Sequence, residues 1–155
     1  MLQIFEAERS SLLSQYIKQI RLKSQPANEL DCMWIKRFDD CEEIVALDGT
    51  ILRELLNPRH EKEDLKLGYS IAHAIVKPGK SSMPHRFFEA SEVYYILQGK
   101  GVMHIDDETA EVAPGQAVYI PPKGIQYIEN TSDSDLVFLC IVYPAWFPES
   151  EELVE

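Results

Sequence analysis

Between Gly79 and Gly99 the chain reads GKSSMPHRFFEASEVYYILQG, a run in which one imidazole and one carboxylate interrupt an aromatic and aliphatic pattern. Val93 to Leu97 is β-branched, aromatic and aliphatic, which predicts a strand. Gln98-Gly-Lys-Gly101 predicts a tight turn, because glycine supplies the positive φ that such turns need. With Gly99 and Lys100 as the loop, Val102 to Ile105 returns antiparallel, Ile96 facing Met103, Tyr94 facing Ile105 and Tyr95 facing His104. Side chains alternate along strands, so Glu92, Tyr94 and Ile96 share one face with Met103 and Ile105. His85 and Phe87 alternate in the same way on the preceding segment. A carboxylate and an imidazole on a mostly apolar face describe a barrel interior with a polar centre, and a buried carboxylate requires a partner.

The rest of the chain agrees with a sheet protein. Ile44 to Leu47, Asp48-Gly49 and Thr50 to Leu56 read as strand, hairpin turn and strand, and Gly68 to Val76 reads as another strand. Gln116 to Ile120, Ile125 to Glu129 and Leu136 to Tyr143 follow, separated by Gly, Pro, Asn and Asp. About nine short strands with no helical alternation after residue 40 predict an all-β sandwich or barrel. Arg59 to Lys66 is a charge run suited to a solvated loop, with His60 a surface residue in it. Ahead of the strands, Phe5, Leu12, Leu13, Tyr16, Ile17 and Ile20 recur near helical spacing, predicting a helix from about Phe5 to Lys23 that ends before Pro26. The expected organisation is an N-terminal helical extension over 1–35, a barrel over 36–147 and an acidic, fraying tail over 148–155.

The Gly79 to Gly99 block resembles the first signature of the cupin superfamily, G-x5-H-x-H-x4-E-x6-G. Gly79, His85, Glu92 and Gly99 fall on the pattern, and Phe87 stands where the family has its second histidine. Gly115 to Gly124, GQAVYIPPKG, resembles the second signature, G-x5-P-x-G-x2-H-x3-N, with one extra residue before Gly124. The family's last histidine falls on Gln126 when counted back from Asn130, and on Tyr127 when counted forward from Gly124. The resemblance implies a cupin-type β-barrel, a double-stranded β-helix or jelly roll, with the N-terminal helix appended. It also implies a divalent metal held by His85 and Glu92 with the Gln126 amide as a third contact, Mn, Fe, Ni or Zn suiting imidazole and carboxylate.

Other side chains are candidates for contact with a small-molecule ligand. Phe87 and Tyr94 share the inward face; Tyr127 follows the second block; His73 lies on the strand entering the first block and is more simply a core histidine than a ligand. Arg53 pairs with a substrate carboxylate or, more commonly in so acidic a chain, with a surface acid.

The formal net charge of −11 argues against nucleic acid and anionic membrane as partners. Cys32, Cys41 and Cys140 are odd in number and lack CxxC spacing, which suits free thiols in a reducing compartment. No apolar run reaches the length of a membrane span and no basic-then-apolar leader opens the sequence, so a cytoplasmic protein is expected. The outward set Val93, Tyr95 and Leu97 is apolar enough to predict a homodimer. There is no nucleophile elbow and no phosphate-cradling glycine loop. Three readings remain: a metal-dependent isomerase or oxygenase, a module that binds a small polar molecule, and a structural dimer with a decayed site.

Overall fold

The computed structural model describes residues 33–154; the chain divides into two units, Met1–Met33 and Trp34–Glu155, and the second carries the barrel. The helix expected from Phe5 to Lys23 lies outside the described residues. Eleven strands occur among the described residues. They are β1 (Glu43–Val45), β2 (Ile51–Leu56), β3 (Ser70–Val76), β4 (His85–Phe87), β5 (Ser91–Gln98), β6 (Gly101–Ile105), β7 (Glu108–Val112), β8 (Ala117–Ile120), β9 (Gln126–Asn130), β10 (Leu136–Tyr143) and β11 (Glu151–Leu153). Two antiparallel sheets face each other, one in the order β1-β2-β3-β10-β5-β8 and the other β11-β4-β9-β6-β7.

Alternation decides what enters the space between them. Ala74, Val76, Tyr94, Ile96, Met103, Ile128, Leu136 and Phe138 form one buried cluster, drawn from both sheets. Leaving water is what holds these faces together. The inward set of β5 is the expected one, with Glu92, Tyr94 and Ile96 buried and Tyr95 and Leu97 exposed.

The expected β5–β6 hairpin is not formed. β5 pairs with β10 and β8, whereas β6 pairs with β7 and β9. The turn at Gly99 carries the chain from one sheet to the other, so Tyr94 and Ile96 meet Met103 across the core rather than along a ladder. Two glycines make that crossing possible for different reasons. Gly99 has a φ of +83°, and a Cβ there would come within 2.6 Å of the Asp135 carbonyl oxygen. Gly101 needs no special φ, but its Cβ would sit 2.3 Å from the Glu129 carbonyl oxygen.

The acidic segment after the barrel is a strand as well. β11 lies antiparallel to β4, with Glu151, Glu152 and Leu153 opposite Phe87, Arg86 and His85. Arg86 donates from Nε and Nη2 to Glu152 Oε1 at 2.8 and 2.6 Å, and the Val154 amide donates to the Pro84 carbonyl at 2.9 Å. Its acidic composition suggested fraying, but the exposed edge of β4 offers unpaired backbone groups that this segment satisfies.

Candidate functional site

The three-residue β4 is inserted between β11 and β9, yet only one residue pair, His85 with Gln126, joins it to β9. Ser82 takes over where the ladder stops: its amide donates to the Ile128 carbonyl and its hydroxyl accepts from the Ile128 amide, both at 3.0 Å. Burial alternates along β4 so that His85 and Phe87 point inward and Arg86 outward. Glu92 enters from β5 on the opposite sheet.

His85, Phe87 and Glu92 border a cavity of about 700 Å³. His85 is 4% exposed, and its Nδ1 lies 2.9 Å from the Met83 carbonyl, which can only accept, so Nδ1 carries the proton. In the neutral ring Nε2 then holds the lone pair, and in the cationic ring it is a second donor. Glu92 Oε2 accepts a 2.7 Å bond from Gln126 Nε2, while Gln126 Oε1 is buried without a partner among the described residues. Burial pushes the Glu92 carboxyl up to about 7, outweighing the stabilisation of its charge by His85 and Gln126; Glu151 and Asp48 push in the same direction.

Asp48 and Glu151 complete the setting, and neither carried a sequence signal. Asp48 sits in the β1–β2 turn, where its carboxylate accepts from the Thr50 amide at 3.0 Å and the Thr50 hydroxyl at 2.6 Å. Its Oδ2 is 3.8 Å from His85 Nδ1. Glu151 leads β11 and lines the same cavity. Burial raises its carboxyl pKa, with His85 and the Trp146 indole opposing and Asp48 reinforcing.

Of the remaining candidates, Phe87 and Tyr94 line the cavity, Phe87 with its ring edge toward His85 at a centroid separation of 6.3 Å. Gln126 faces inward and is fully buried, whereas its neighbour Tyr127 faces out and stacks on His104 at 4.1 Å. The extra residue before Gly124 is absorbed by Lys123, at a φ of 68°, whose amide donates to the Phe87 carbonyl. His73 stands outside the cavity. The buried, core-facing residues of β3 include Ala74 and Val76, so His73 lies with Ile71 and Ile75 on the other face, its ring 4.8 Å from Phe38. Arg53 is held by the Cys41 carbonyl at 3.0 Å and by Glu43 at 3.2 Å, so it pairs with a surface acid. His60 is at the cavity border rather than in a free loop, bonded to Glu54 at 2.8 Å.

The donor set does not fit a preformed metal centre. Among the described residues no three His, Cys, Asp or Glu side chains are grouped to hold an ion. Phe87 cannot coordinate, and Gln126 turns its NH2 rather than its oxygen toward Glu92.

Residues 72–142 match the Cupin domain family. An uncharacterised protein of Methanocaldococcus jannaschii is 39% identical over 118 residues, covering 76% of this chain and 92% of that protein. The chain belongs to the cupin family. A glucose-6-phosphate isomerase of Pyrococcus abyssi is 32% identical over 67% of this chain, which spans 60% of that relative's length. A crystal structure of a predicted oxalate decarboxylase from Thermotoga maritima superposes with a TM-score of 0.62 at 25% identity, covering 72% of this chain and 99% of that one. No helix among the described residues is long and apolar enough to cross a membrane.

Proposed function

We propose that the barrel interior binds a small polar molecule and moves a proton on it, with His85 and Glu92 as the working pair. One observation carries this reading. His85 has its Nδ1 proton committed to Met83, leaving a basic nitrogen, and it stands by a carboxyl that titrates near neutrality. An imidazole and a carboxyl held up to about 7, both bordering one cavity, suit general acid–base chemistry. The similarity to archaeal sugar isomerases supports proton transfer between neighbouring carbons as the reaction class. No step of this reading needs a resident metal.

The test is an NMR titration with hydroxy ketones and amino ketones of three to six carbons in D2O. Saturable shifts of the His85 ring signals, with deuterium entering the carbon next to the carbonyl, are expected. The isotope exchange should be lost in both His85→Ala and Glu92→Gln, while the saturable His85 shifts should persist in Glu92→Gln. Absence of any His85 shift across the panel at millimolar concentration overturns the reading.

The same proposal includes a homodimer through the outer face of the six-stranded sheet, where Tyr95 and Leu97 are 41% and 43% exposed. It also includes a reducing, cytoplasmic setting, supported by the free thiols of Cys41 and Cys140.

A further inference from the structure

The cavity wall is rich in hydrogen-bond acceptors and poor in free donors. Asp48, Glu92 and Glu151 line the cavity together with His85, as do Glu42 and Glu54, and Asp48 Oδ2 lies 3.8 Å from His85 Nδ1. The basic residue on that wall, Lys36, is spent on Glu61 at 2.7 Å. The neutral donors are largely spent too. The Gln126 amide serves Glu92, the Thr50 hydroxyl serves Asp48, and His85 Nδ1–H serves Met83. What the wall itself offers a ligand is the carboxyls of Asp48, Glu92 and Glu151, while Gln126 Oε1, beside Glu92, is buried with no partner among the described residues. Phe87, Tyr94 and Trp146 add aromatic surface to the same wall.

An anionic ligand entering this space would meet carboxylates and lone pairs, losing its hydration shell without recovering hydrogen bonds. An ammonium group has three donors and no acceptor, and aromatic faces attract it. We propose that the cavity selects a small organic cation, a protonated amine on an apolar or weakly polar body, with Asp48, Glu92 and Glu151 as its counter-charge. This rests on the reading of the barrel interior as a binding site and specifies the class of molecule bound. It also separates this chain from relatives named for glucose 6-phosphate or oxalate, both of which are anions.

Three probes of nearly equal shape isolate charge: benzylamine, benzyl alcohol and benzoate, titrated at pH 8 while the ring signals of His85 and Phe87 are followed. The amine is expected to bind at least about 10-fold more tightly than the alcohol, and benzoate most weakly. Glu151→Gln should reduce the amine's advantage roughly 3- to 10-fold and leave the alcohol unchanged. Intact β4–β11 amide signals establish that this variant is folded, and Asp48→Asn provides an independent second test with the same expectation. Benzoate binding as tightly as the amine, equal affinities for all three, or equal losses for all three in Glu151→Gln would overturn the proposal. So would failure of all three to shift the cavity signals, whereas the ketone titration decides separately whether the interior binds small molecules at all.

Discussion

Gln126 and Glu92 belong to opposite sheets, and the 2.7 Å bond from the Gln126 amide to Glu92 Oε2 joins them at the centre of the barrel. That bond gives the buried carboxyl an uncharged amide donor, to which the Cys140 thiol adds a weaker contact, where an ionised carboxylate would draw several strong donors.

Stability should therefore fall as Glu92 ionises. Its folded pKa, about 7, lies above the ordinary 4.5, so its contribution is fully present below pH 4.5 and is lost as pH rises through 7. Ionisation costs about 3 kcal/mol on an order-of-magnitude basis. Glu92→Gln cannot ionise. Thermal melts should place it near the parent at pH 5 and clearly above it at pH 9; equal melting temperatures at pH 9 would show that the carboxyl is not held up by burial.

Metal binding should be recoverable by replacing two side chains. Phe87→His and Gln126→His together add imidazoles on the same inward faces as His85. Calorimetric titration with Ni²⁺ or Zn²⁺ should show the double variant binding at least about 10-fold more tightly than the parent. A parent that binds as tightly as the variant would show that its own donors already suffice.

Removing β11 should expose the edge of β4. Truncation after Ser150 deletes the Arg86–Glu152 pair and the ladder opposite His85 to Phe87, at a cost of about 2–4 kcal/mol. Hydrogen exchange should quicken first in β4. Exchange unchanged there would mean that the Ser82 contacts with Ile128 carry the strand alone.

Gly101→Ala should be among the most damaging single substitutions, because the added carbon meets backbone rather than a movable side chain. A loss of about 3 kcal/mol or more in denaturant unfolding is expected. A loss below about 1 kcal/mol would mean that the β6–β9 ladder shifts to make room.

The Cys140 thiol should resist alkylation under native conditions. Burial raises its pKa well above the ordinary range, and the charge of Glu92 adds to that. Modification by a disulfide reagent should proceed only as fast as unfolding, and rapid labelling would show that the cavity opens to that depth.

The alternation of Glu92, Tyr94 and Ile96 was legible because burial on a strand depends only on parity, which the sequence displays directly. Which strand lies beside β5 depends on the whole sheet order, and the local turn at Gly99 has the same composition whether it closes a hairpin or crosses between sheets. Parity also separates Gln126 from Tyr127, although counting along the second block cannot, because the extra residue at Lys123 disturbs the spacing. Asp48 and Glu151 were invisible for a different reason. They lie far from His85 in sequence, one in an ordinary hairpin turn and the other in a segment whose acidity suggests solvent. The direction of His73 was not legible in the sequence, because both faces of β3 carry small or apolar residues.

Glu151 reaches the cavity wall because β11 adds to the edge of β4 rather than running off into solvent. The backbone pairing that protects that edge therefore also decides what one side of the cavity carries. A substitution that loosens β11 would act on strand order and on ligand affinity together, and the two could not be tuned independently.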